Sequence, residues 1–113
     1  MNIRLNNKII VNKNKIIKSF LGKFIGLMFS KQNKNRAITF VFNKKTKVSL
    51  HMFFVFYPID VLWLNSKKEI IFMKERFLPF TLIFPKCKVN YVIELPIDTI
   101  KNNKIKKGNI LTF

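Results

Sequence analysis

Acidic side chains are scarce in this sequence. Asp60, Glu69, Glu75, Glu94 and Asp98 stand against 22 lysines and arginines, and the formal charge is +17. No acid precedes Asp60, whereas 12 basic residues do. A field of one sign attracts nucleic acid, anionic lipid or acidic proteins. Lys, Asn and Ile are also what AT-rich codon use supplies, so solvation of the surface is the preferred reading of the lysines. Polyanion binding is the alternative. Cysteine is nearly absent. Cys87 is the single one, which excludes an intramolecular disulfide and fits a reducing, cytoplasmic setting. Lys86 and Lys88 flank it and favour the thiolate, but an ordinary thiol is the simpler reading. One histidine, one cysteine and scattered methionines give no metal-ligand spacing, and no cofactor is expected. Long apolar runs are missing too. The N-terminal stretch from Phe20 to Phe29 is broken by Lys23 and falls short of a bilayer span. It lacks a small-residue cleavage site as well, so the chain reads as soluble and unprocessed.

Apolar residues make up 49% of the 113 residues and include 13 phenylalanines. That is enough for one core and too little chain for two domains. Residues 1–7 are polar and read as a frayed end, with a single domain over 8–113. Lys8 to Val11 reads as a short strand. Over 15–29 the apolar residues recur at helical spacing, through Ile17, Leu21, Phe24, Ile25 and Met28. That pattern predicts an amphipathic helix covering a sheet, with Asn12 or Asn14 as its cap. A membrane-surface helix is the lesser alternative.

Beyond Asn35 the period falls to two. Strands are expected at Ile38–Phe42, Lys47–Phe56, Ile59–Leu64, Glu69–Arg76, Phe80–Phe84, Val89–Leu95 and Ile110–Phe113. Ile59–Leu64 is apolar on both faces and is therefore central. Pro96 opens a short helix over 97–102, with Asp98 in its first turn. The sum is a mainly β (α+β) chain, an antiparallel sandwich or barrel of about seven or eight short strands. At period two the phenylalanines belong in its core. A stacking surface for single-stranded nucleic acid is the less favoured use of them.

Several segments occur in a familiar order. They are Gly26-Leu27-Met28-Phe29, Thr39-Phe40-Val41-Phe42, the run His51-Met52 to Leu64, Tyr91-Val92-Ile93-Glu94-Leu95-Pro96, and Lys107-Gly108-Asn109. Together they resemble the domain-of-unknown-function family number 192, also called uncharacterised protein family 0127, in its archaeal form. The match spans roughly Lys8 to Phe113. The resemblance implies a jelly-roll-like β-sandwich and no particular reaction. Many bacterial members read Trp-Met-Lys-Asn-Thr where this chain has His51 to Val55, so the polar triplet is replaced here by Phe53-Phe54-Val55.

The candidate chemistry sits in that central run. His51 and Asp60 are the sole imidazole and an isolated carboxylate among apolar residues. Such a carboxylate either faces water or is held by specific partners, because burying it unpaired is costly. Paired with His51 it would serve general-base or metal chemistry. Alternatively, Asp60 caps a turn or pairs with Arg36, and His51 is a sheet residue. No set of nucleophile, base and orienter is readable. The reading adopted is a small non-enzymatic domain that binds a ligand or protein partner at a shallow site formed by His51, Asp60, Arg36 and Met52. A polyanion-binding module and a metal-dependent or acid/base enzyme using His51 and Asp60 are the alternatives.

Overall fold

The computed structural model describes residues 2–18, 36–47, 50–51, 58–77, 82–83 and 88–113. The strands are β1 (Ile3–Leu5), β2 (Lys8–Val11), β3 (Lys13–Ile17), β4 (Arg36–Lys47), β5 (Leu50–His51), β6 (Ile59–Leu64), β7 (Ile70–Phe77), β8 (Leu82–Ile83), β9 (Lys88–Pro96) and β10 (Leu111–Thr112). A single described helix, α1 (Thr99–Asn102), lies between β9 and β10. The strands form a five-stranded sheet in the order β3-β4-β9-β6-β7, a three-stranded sheet β10-β1-β2 and a pair β5-β8. The fold is therefore mainly β, as the period-two pattern requires.

β6 is central, between β9 and β7, and all six of its residues are buried. Strands enclosed on both faces read as continuous apolar runs. The two faces of the large sheet carry separate clusters. One holds Leu62, Leu64, Ile93, Leu95 and Ala37 with Ile3, Leu111 and Ile100. It lies between the large sheet and the residues of the small sheet and α1. The other holds Ile38, Phe40, Val61, Trp63, Phe77 and Val92. Trp63 meets the Phe72 ring edge-on at 5.0 Å between centroids, a favoured aromatic geometry.

The structure departs from the sequence expectation in several places. Lys15–Ile17 belongs to β3 and does not open a helix. Lys13 and Lys15 are exposed while Asn14 between them is buried, so the local alternation has period two. Residues 19–29 of the expected helix lie outside the described residues. β3 runs parallel to β4, with Lys13 beside Arg36 and Ile17 beside Phe40, the one parallel pair among the described strands. A parallel neighbour needs a crossover of a dozen or more residues, and residues 18–35 supply that length. Finally, Ile3–Leu5 is a strand at the centre of the small sheet, and Ile3 is fully buried. A three-residue strand among polar neighbours is too short to show a period.

The turns follow local chemistry. In the β6–β7 hairpin the Asn65 Oδ1 accepts the backbone N–H groups of Lys67 and Glu69, the behaviour that favours asparagine in turns. Before β10 the chain turns at Gly108, whose φ of 94° suits a residue without a side chain. That turn docks on β7 through Gly108 N–H to Ile70 O and Ile70 N–H to Asn109 O.

Candidate functional site

Asp60 follows Ile59 at the start of β6 and is fully buried. It lies opposite Leu95 on β9, which places it on the face of the first apolar cluster. Both of its carboxylate oxygens are engaged. Oδ1 accepts the Arg76 backbone N–H at 3.0 Å, and Oδ2 accepts the Ile100 backbone N–H at 2.9 Å. Each donor is left over by an irregularity in the chain. Arg76 has φ 49° in the stretch of β7 where the ladder with β6 shifts register, so its N–H is out of step with the ladder. Ile100 is the second residue of α1, where backbone N–H groups have no partner within the helix. Asp98 sits at the cap position with φ 67° and makes no side-chain cap hydrogen bond. Asp60 therefore caps α1 from another strand.

Asp98 pairs instead with Arg76, at 2.9 Å between Arg76 Nη2 and Asp98 Oδ1. The expectation of Asp98 inside the first helical turn is corrected accordingly. The Arg76 side chain is 59% exposed, and exposed pairs contribute little. Arg76→Ala is expected to cost less than about 1 kcal/mol in urea unfolding, because the backbone N–H to Asp60 survives the substitution. A loss several times larger would mean that the guanidinium holds this corner.

The other sequence candidates are distributed as follows. Arg36 opens β4, two residues before Ile38, and so shares the face of the second cluster. It stands on the opposite face from Asp60, and the two are not brought together. His51 has its backbone in β5, paired with Leu82, and its side chain is not described. Met52 and Cys87 lie outside the described residues.

One acid that the sequence reading left among ordinary strand residues stands out. Glu94 lies on β9, flanked by Ile38 of β4 and Val61 of β6. Cross-strand partners share a face, so its neighbours there are the apolar residues of the second cluster. Glu94 is 5% exposed, and its Oε2 is buried without a hydrogen-bond partner. Desolvation by burial pushes its carboxyl up to about 8. A neutral carboxyl in such surroundings is both a strong donor and an acceptor. The signal available in the sequence was the lone acid within Tyr91–Leu95, a strand otherwise fit for a core.

A second buried polar group lies on the opposite face of the large sheet. The Thr39 hydroxyl donates to Asn14 Oδ1 at 2.7 Å, and Asn14 Nδ2 is buried without a partner. The pair joins β3 to β4, and Asn14 serves there rather than at a helix cap. Among the described residues no group of three or more His, Cys, Asp and Glu is arranged to hold a metal. No described helix is long and apolar enough to cross a membrane.

The comparisons agree with this architecture. The model of family DUF192, described as "Uncharacterized ACR", matches residues 3–113. A UPF0127 protein of Thermococcus kodakarensis is 35% identical over 103 residues, covering 89% of this chain and 64% of that protein. A UPF0127 protein of Pyrococcus furiosus is 32% identical over 97 residues, covering 84% of this chain and 81% of its own length. The chain spans about three-fifths of the length of the Thermococcus relatives it matches. Two crystal structures share the fold. A candidate transcription regulator of Sinorhizobium meliloti superposes with a TM-score of 0.82 at 24% identity, over 88% of this chain and 79% of that one. A protein of unknown function from Novosphingobium aromaticivorans gives 0.80 at 16% identity, over 88% and 74%.

Proposed function

This chain belongs to the DUF192 (UPF0127) family, and we propose that its domain binds a ligand without transforming it. The site lies on the face of the large sheet that carries Arg36 and Glu94. His51 and Met52 remain further candidate ligand-binding residues of the chain. Asp60 works from the opposite face, as the post that fixes β6, β7 and α1 to one another.

The observation that carries this reading is the partnerless Glu94 Oε2 among apolar side chains. Leaving a buried polar atom unsatisfied costs about 1–3 kcal/mol. A group that arrives with a ligand removes that cost. Binding is favoured over acid/base chemistry because both Asp60 oxygens accept backbone N–H groups, which gives that carboxylate a structural use.

A thermal-shift panel of monocarboxylates, primary amides, nucleosides and sugars tests the reading. At least one class should raise the melting temperature of the native chain and fail to raise that of Glu94→Leu. Mass spectrometry should recover the active compound unchanged after incubation. Conversion of the compound, or an equal shift in the variant, would contradict the proposal.

The second reading, a polyanion-binding module, is favoured by one observation. Lys13, Lys15 and Lys18 are exposed on or beside β3, an edge of the large sheet. Lysines on an edge also guard against strand pairing between molecules. Fluorescence polarisation with a random DNA duplex across a salt series separates the two roles. Phosphate contacts predict affinity that falls steeply with salt, whereas lysines that only guard the edge predict weak, indifferent binding.

A further inference from the structure

We propose that Glu94 and Arg36 together bind the carboxylate of an apolar monocarboxylic acid, Glu94 through Oε2 and Arg36 through its guanidinium. The inference rests on the binding reading above and names its ligand class.

The placement comes from the register. Ile38 faces Glu94 across β4 and β9, and Arg36 is two residues from Ile38 on the same face. Arg36 and Glu94 are therefore diagonal neighbours, whose Cβ atoms lie about 7–8 Å apart or somewhat less in such a ladder. No ion pair joins them among the described residues. A carboxylate between the two would accept the Glu94 O–H and the guanidinium N–H groups at once. Both are charge-assisted hydrogen bonds, stronger than neutral ones.

Charge selects the class. Glu94 holds its proton to about pH 8, so it needs an acceptor and contributes no charge. One guanidinium and one carboxylate then sum to zero, which is the condition for placing them against an apolar sheet. A cation would meet Arg36 and the +17 field of the whole chain. The neighbours of Glu94 on this face, Ile38, Val61 and Ile59, are apolar, so the class proposed has an apolar body.

Among the described residues, the charged groups placed on this face with Glu94 are Arg36 on β4, Lys15 on β3 beside Ile38, and Lys74 on β7 beside Val61. β6 contributes only Ile59, Val61 and Trp63 there. Lys15 and Lys74 are exposed and are screened by solvent. Loss of the Glu94 proton would set two carboxylates side by side, so binding weakens as pH rises past about 8.

The test uses the full chain with hexanoate, hexanamide and hexylammonium as probes, by thermal shift and calorimetry at about pH 6.5 and about pH 9. Hexanoate should raise the melting temperature at the lower pH and lose affinity by about tenfold or more at the higher. Arg36→Ala and Glu94→Leu should each weaken it by about tenfold or more. Glu94→Gln, which keeps the shape and a donor, should bind hexanoate with no fall-off at high pH. Equal hexanoate shifts in the native chain and Glu94→Leu, or no shift in the native chain, would overturn the proposal. Hexanamide binding as well as hexanoate, in a Glu94-dependent way, would overturn the carboxylate assignment and leave the binding reading standing. Hexylammonium binding would overturn it too.

Discussion

Asp60→Ala will lower stability by about 4 kcal/mol, because two hydrogen bonds to a charged acceptor are lost and two donors are left with nothing. One donor lies in the register shift of β7 and the other at the start of α1. Native domains of this size are stable by about 5–15 kcal/mol in all, so the loss is a large fraction of the total. In a thermal melt it amounts to roughly 15 °C or more. Asp60→Asn should fall between the native chain and the alanine variant. One amide oxygen still accepts, while the amide nitrogen is turned toward an N–H. Urea unfolding of the three proteins checks the order. A cost for Asp60→Ala below about 1 kcal/mol would show that the corner is held by apolar packing instead.

Glu94→Leu should act in the opposite direction. The folded chain keeps the Glu94 proton to about pH 8, against an ordinary value of 4.5. The cause is burial, so the same group in the unfolded chain releases its proton near the ordinary value. Between those limits the folded state binds more protons than the unfolded state, and stability falls as pH rises. The full stability is present below the unfolded value and is lost as pH rises through the folded one. The whole span is on the order of 5 kcal/mol. Leucine has no proton to lose and adds apolar area beside Ile38 and Val61. Glu94→Leu should therefore exceed the native chain by a small margin in mild acid, where only the unsatisfied oxygen is removed, and by a larger margin near pH 8. Melting curves from mild acid to mild base check both the slope and its disappearance. A native chain whose stability does not change over that range would contradict the assignment.

These two acids show how far the sequence could be read. The chain offers few carboxylates, so each one inside an apolar stretch was conspicuous. Asp60 stood out because Ile59 to Leu64 is otherwise continuous, and the alternatives of a held carboxylate and a water-facing one were both visible. Which partners hold it was not. Arg76 and Ile100 lie 16 and 40 residues away, and they donate through the backbone, which every residue has. Glu94 was masked by a tidy alternation. Val89, Tyr91, Ile93 and Leu95 fall on one face of the pattern and Asn90, Val92 and Glu94 on the other, and the pattern assigns burial to neither. The large sheet is covered on both faces, so the polar position of that strand is buried as well. Alternation reports two faces and does not report whether one of them meets water.

The same limit explains β3. Ile16 and Ile17 fit a helical stripe read forward into Leu21 and Phe24. They equally fit a strand read backward into the alternation of Lys13, Asn14 and Lys15. Pairing with Arg36–Phe40 decides for the strand, and that contact is invisible in a local window. Strong local signals, by contrast, carried through. Ile59–Leu64 is the buried central strand, Lys88–Pro96 contains the expected one, and the last turn forms around Gly108. Pro96 and the residues after it do lead into a helix, though it starts at Thr99 and owes its cap to Asp60.

A titration of the Glu94 side-chain carboxyl carbon by NMR bears most directly on the idea that this acid is a protonated, partnerless group waiting on the sheet. The midpoint should fall at about 8 in the folded chain, with the Glu94 signal identified by its absence from Glu94→Gln. A midpoint at the ordinary 4.5 would mean that the carboxylate is solvated or paired, and the site would lose its foundation.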